Sequence, residues 1–107
     1  RKQSLASSPN IIHAHDAAHL QAVVMMGASE ENPITSWACI HDSIGVHACD
    51  VDRLNKIIRR EFVRIYDRPI LEEFHHNLMR HKVALPTPPE LGTFDVKSVE
   101  DAPYFFS

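Results

Sequence analysis

Two stretches of this chain hold residues able to do chemistry. In the first, Trp37-Ala38-Cys39-Ile40-His41-Asp42-Ser43-Ile44-Gly45-Val46, the pair His41-Asp42 stands between two short apolar runs. Trp37 to Ile40 and Ile44 to Val46 supply the aromatic and branched residues that favour a pleated surface, so the polar pair between them reads as the bend of a β-hairpin. Two strands fix the backbone of such a bend. The Asp42 carboxylate is then aimed at one point in space, as a ligand in a metal-assisted reaction must be. The plain alternative is an ordinary turn aspartate, because Asp is favoured in turns on conformational grounds alone. The second stretch, Ile11-Ile12-His13-Ala14-His15-Asp16-Ala17-Ala18-His19, gathers three imidazoles and a carboxylate. Zinc bound by His13, His15 and His19 is the chemistry this composition suggests, provided the three converge. Otherwise one or two of them satisfy buried polar groups.

The elements that must position these residues follow from periodicity. Residues 1–10 are polar and serine-rich and read as an irregular lead-in ending at Pro9-Asn10. Asp16 is a plausible helix cap, and Leu20, Val23, Val24 and Gly27 then mark one helical face, with His19 in the first turn and Met25 and Met26 as core packing. After the hairpin, Asp50 is placed to cap a long helix whose apolar positions are Val51, Leu54, Ile58, Phe62 and Ile65. Arg53, Lys56, Arg60 and Arg64 recur on another face, read as solvated and diluted by Asp52 and Glu61. Asp67-Arg68-Pro69 ends that helix and starts a third, with Ile70, Leu71, Phe74 and Leu78 as its buried side and His75, His76 and His81 at the surface. Leu85-Pro86-Thr87-Pro88-Pro89 forbids regular helix and reads as a stiff connector. A short helix near Val96 to Val99 follows, capped by Thr93 or Asp95. The aromatic run Tyr104-Phe105-Phe106 should be docked, since exposed it would invite aggregation. The expected fold class is therefore α+β: one antiparallel hairpin packed with about three helices, as a single fragment with a lead-in over 1–10, a body over 11–84 and a connector and tail over 85–107.

Composition bounds the function. A chain of 107 residues, 44% hydrophobic, can form one modest core. A formal charge of −3 argues against a self-sufficient nucleic-acid binder, because phosphate contacts leave a basic footprint. No apolar run reaches membrane-spanning length, so no membrane partner is expected. The sequence starts Arg1-Lys2-Gln3-Ser4, with neither an initiator methionine nor a secretion signal, and is expected to begin inside a longer protein. Cys39 and Cys49 bracket the hairpin but fall out of register with each other, so they should stay reduced, as small apolar fillers in an intracellular setting.

Ile40-His41-Asp42-Ser43-Ile44-Gly45-Val46-His47-Ala48 resembles the palm hairpin of the single-subunit DNA-dependent RNA polymerases, the phage, mitochondrial and chloroplast type. Further matches lie in order on both sides: Pro9-Asn10-Ile11-Ile12-His13, Asp16 and His19-Leu20 before it, and Arg60-Glu61-Phe62-Val63-Arg64, Pro69-Ile70-Leu71, Gly92-Thr93-Phe94-Asp95-Val96 and Tyr104-Phe105-Phe106-Ser107 after it. The similarity thus spans nearly the whole chain and implies a C-terminal palm portion. The repair-type DNA polymerases carry a similar His-Asp hairpin followed by glutamate. Ser43 stands in that place here.

The resemblance implies Asp42 as a catalytic, metal-binding carboxylate in a two-magnesium centre for nucleotidyl transfer, with His41 and Ser43 shaping the bend. It places His19 beside the incoming nucleotide and brings the tail, Phe105, Phe106 and Ser107, back toward the site. The second carboxylate belongs to an earlier palm strand outside this sequence. The partners implied are the remainder of the polymerase chain, DNA template, RNA product and nucleoside triphosphates. The isolated fragment should be inactive, and it could pair with a second copy through the hairpin edges. The setting would be a bacterial host cytoplasm for a phage enzyme, otherwise a mitochondrion or plastid. Two alternatives remain. One is a fragment of a repair-type DNA polymerase. The other is a small zinc hydrolase using His13, His15 and His19, whose His-x-His-Asp-x-x-His spacing is near that of the metallo-β-lactamase-like enzymes.

Overall fold

In a computed structural model, which describes residues 2–82 and 84–105, the element order is helix, hairpin, helix, helix and short 3-10 turn. Helix α1 spans Lys2–Ser29, strands β1 and β2 span Ala38–Ile40 and Ser43–Gly45, and α2 and α3 span Val51–Tyr66 and Ile70–Met79. One 3-10 turn, Ala48–Asp50, leads into α2, and another covers Val96–Asp101. The α+β class is as the periodicity implies. The chain divides into two compact units, Arg1–Phe62 and Val63–Ser107, with the boundary inside α2.

The first unit holds the core around the hairpin's base. On α1, His19, Val23 and Gly27 recur at four-residue steps and are its buried positions. On α2, Leu54, Ile57, Ile58 and Glu61 follow the same three- and four-residue rhythm and are all buried. Glu61, only 1% exposed, therefore belongs to the packed face and does not dilute a solvated basic stripe. Met25, 71% exposed, is likewise not core: it falls between two buried stripe positions and points outward.

Helix α1 also runs through the expected irregular lead-in. Residues 2–10 are helical and exposed, and Asp16 is an exposed mid-helix residue, not a cap. Extending a helix costs little per residue once a packed segment has nucleated it. The stripe from His19 to Gly27 is that segment, and the helix continues outward through residues of ordinary propensity. Pro9 deletes one backbone bond without ending the helix. Ser7 Oγ donates to the Ser4 carbonyl at 2.8 Å within the same stretch.

In the second unit α3 has no buried residue, and Leu71 and Phe74 are 47% and 38% exposed, so its apolar side is only partly covered. Pro69 stands at its N-cap without a side-chain cap. Asp67 instead lies 3.9 Å from Lys97 Nζ. Asp95 caps the last 3-10 turn, accepting from the Lys97 amide at 3.1 Å. Tyr104 is 88% exposed, against the expectation of a docked aromatic run; Phe105 is half-buried, and Phe106 lies outside the described residues. His76 and His81 are exposed as expected, whereas His75 is half-buried with its Nε2 enclosed and without a partner among the described residues.

Gly27 is where α1 meets the hairpin's base. A Cβ there would lie 2.6 Å from Trp37 Cζ2, inside any normal contact distance. Gly27→Ala should therefore push the indole off α1 and destabilise the fold by about 1 to 3 kcal/mol, the usual cost of overpacking. Unfolding followed by the fluorescence of Trp37, the one tryptophan in the chain, measures this.

Candidate active site

The hairpin forms with the register Ala38↔Gly45, Cys39↔Ile44 and Ile40↔Ser43, leaving His41 and Asp42 as a two-residue loop. Ser43 is thus a strand residue that closes the bend. His41 has φ 55°, in the left-handed region where L-residues are sparse. Tight hairpin loops require positive φ at the first loop position because only that twist matches the strands. A residue other than glycine there carries a cost of order 1 kcal/mol, which the closed hairpin must hold. Strain at His41 therefore fixes the backbone immediately before Asp42.

Asp42 projects into solvent, and its carboxylate has no hydrogen-bond or ion-pair partner among the described residues. Both oxygens are open to an external ligand. The strands themselves are thin: β1 is exposed throughout, and in β2 only Ile44 is half-buried. Their direction is set from below. The Ile34 amide donates to the Gly27 carbonyl at 2.9 Å, Ile34 is 1% exposed, and Trp37 Nε1 donates to the Ile34 carbonyl at 2.9 Å. Trp37 and Gly27 were legible as apolar residues, but their contact across the Ser29–Asn32 connection was not.

His19 lies in the core, 8% exposed. Its Nε2 is 2.9 Å from the Ile58 carbonyl, and since a carbonyl only accepts, Nε2 carries the hydrogen. The ring stands edge-on to Phe62 with centroids 5.6 Å apart and planes at 82°. His19 thus ties α1 to α2.

The three histidines do not form a zinc site. On a helix His13 and His15 point roughly 200° apart, since each residue turns the chain by about 100°. His13 is exposed, His15 half-buried and His19 buried. No group of three or more His, Cys, Asp or Glu able to hold a metal occurs among the described residues. The two cysteines are free, as their register requires, but both are exposed and neither fills the core. Asp50, expected as a cap, uses its carboxylate for Arg53 of α2. Arg53 and Arg60 of the basic stripe lie 3.8 and 3.2 Å from Glu30, so both face a carboxylate. Of the expected tail residues, only Phe105 falls among the described residues; Phe106 and Ser107 lie outside them. No helix among the described residues is long and apolar enough to cross a membrane.

Comparison with known proteins bears on this site directly. The chain is 39% identical over 109 aligned positions to the mitochondrial DNA-directed RNA polymerase 1B of Nicotiana tabacum, and 38% identical to the chloroplastic polymerase 3B of the same plant. Each match covers all of this chain and 11% of the relative. DNA-directed RNA polymerase 1A of Nicotiana tabacum, 38% identical, is covered to 68% of its length. No solved structure matches. The family described as DNA-dependent RNA polymerase matches residues 1–83, a span that includes α1, the His41-Asp42 hairpin and α2. The chain belongs to the single-subunit, phage-type family of DNA-dependent RNA polymerases.

Proposed function

We propose that this chain is the C-terminal palm portion of a DNA-directed RNA polymerase and that Asp42 supplies one carboxylate to the magnesium centre for template-dependent nucleotidyl transfer. The observation that carries this reading is the free Asp42 carboxylate at a strained two-residue bend, inside the span that matches the family. Magnesium takes hard oxygen ligands, and Asp42 offers two. In this reading the other carboxylate belongs to an earlier palm strand elsewhere in the polymerase. When bound, the magnesium ions would activate the 3′-hydroxyl and neutralise charge on the triphosphate.

The chain's own residues hold and aim. His41 and Ser43 set the bend, and neither is assigned as a general base. His19 is proposed on the nucleotide side, close to the ribose, helping to position the incoming nucleotide. The partners are the remaining polymerase chain, the DNA template, the RNA product and nucleoside triphosphates. Exposed apolar side chains such as Leu5, Ile12, Phe94 and Tyr104 support contact with a larger polymerase body. The names of the relatives point to a mitochondrion or plastid as the setting.

A segment exchange tests the reading. With this chain in place of the matching segment of the tobacco mitochondrial polymerase, the enzyme should synthesise RNA on a DNA template with magnesium, whereas the isolated chain should make none. A folded exchange protein that is inert would overturn the proposal, as would RNA synthesis by the isolated chain.

A further inference from the structure

The hairpin bearing Asp42 is exposed along β1 and mostly along β2, so its direction must be fixed where the chain enters and leaves it. One side chain reaches both places. Arg53, near the start of α2, donates through one terminal nitrogen to the Asn32 carbonyl, ahead of the hairpin. Through its other terminal nitrogen it donates to the Asp50 carboxylate, beyond the hairpin. Glu30 lies 3.8 Å from the same guanidinium and 3.2 Å from Arg60, which holds the acidic side chain over the pair. The guanidinium therefore links the segment that enters the hairpin to the segment that leaves it, two stretches that no strand pairing joins. A planar fork holds two acceptors at a fixed mutual angle; a lysine ammonium, a point charge on a flexible stem, does not.

The Arg53, Asp50 and Glu30 side chains are 31%, 16% and 30% exposed. Ion pairs this open to solvent add little to stability, so the value of the contact is geometric. We infer that Arg53 is a positioning residue for Asp42: by bridging Asn32 and Asp50 it sets the angle at which the hairpin presents its carboxylate. The inference rests on the proposed role of Asp42 as a metal ligand. A displacement of ~1 Å at a reacting centre can cost ~100-fold in rate, so a loosened hairpin base should be visible in catalysis.

The test uses the polymerase that carries this segment, with Arg53→Met, Arg53→Lys, Asp50→Asn and Asp42→Asn compared. Arg53→Met should lower the maximal rate of nucleotide addition roughly 10- to 100-fold while KM for the nucleotide moves less than about twofold. Hydrogen exchange should quicken at the amides of residues 38–45 and stay unchanged in α1 and α2. Arg53→Lys should remain impaired. Asp50→Asn, which keeps an acceptor but loses the charge, should show a smaller effect of the same pattern and serves if Arg53→Met does not fold.

Full activity with unchanged exchange at 38–45 in these variants would overturn the inference. So would exchange that rises equally in α1, α2 and the hairpin, which marks a general stabilising role, and so would full restoration by lysine. If Asp42→Asn is itself active, the metal-ligand reading fails, while the exchange at 38–45 still reports whether Arg53 holds the hairpin. If Asp42→Asn is inert and Arg53→Met behaves as the parent in both readouts, the positioning inference alone fails.

Discussion

Asp42→Asn, made in the polymerase that carries this segment, is expected to slow nucleotide addition on the order of a thousandfold or more. The substitution keeps the size of the side chain, and asparagine is as acceptable in a tight turn as aspartate. The hairpin should survive, since its base is held by Trp37 against Gly27 and by the Ile34 amide, none of which touches position 42. Only the charge is lost. A neutral amide is a poor ligand for a hard divalent ion beside a triphosphate, and uncompensated transition-state charge costs several kcal/mol. About 4 kcal/mol corresponds to roughly a thousandfold in rate. DNA binding should barely change, because phosphate contacts elsewhere in the polymerase dominate it.

The second large effect is on stability. His19→Ala removes a buried ring that donates to the Ile58 carbonyl and stands edge-on to Phe62. Losing the hydrogen bond, the aromatic contact and the packed volume together should cost about 2 to 4 kcal/mol. Denaturant unfolding monitored at Trp37 reads this as a lower midpoint with an unchanged slope. His19→Gln places an amide donor within reach of the same carbonyl and should recover part of the loss. The two roles of His19 separate in that variant. If His19 also positions the nucleotide, His19→Gln should be folded yet raise KM severalfold; an unchanged KM would leave the residue as a tie between α1 and α2.

The parts of this fold written into local spacing were legible, and the parts made by distant contacts were not. The hairpin and its bend at His41-Asp42 follow from strand-favouring residues and turn chemistry, both of which act over a few residues, whereas the exact register is seen only in the fold. The buried stripe of α2 was legible at Leu54 and Ile58, but the apolar-only reading passed over Glu61, which shares their face. Charge argued for the surface while position argued for the core, and position decided. In α1 the apparent stop at Pro9 and the apparent cap at Asp16 were both overridden by continuation of a helix whose packed end lies further on. Aspartate at a cap and aspartate in mid-helix look alike in a sequence.

The site shows the same division. Asp42 could be singled out because its strands announce the bend, but the positive φ of His41 and the reach of Arg53 to Asn32 depend on the folded backbone. The Asp50 and Arg53 pair, three residues apart, was a visible signal of local pairing. The zinc reading failed for a similarly geometric reason. Three histidines close in sequence are dispersed by helical twist, and only His15 and His19, four apart, share a side of α1.

The most direct test of the account is single-turnover nucleotide addition by the Asp42→Asn polymerase, with DNA affinity measured on the same preparation. Addition should be slowed about a thousandfold or more at unchanged DNA affinity. A variant that extends RNA within about tenfold of the parent, a barrier change of only ~1.4 kcal/mol, would contradict it and return Asp42 to an ordinary turn residue.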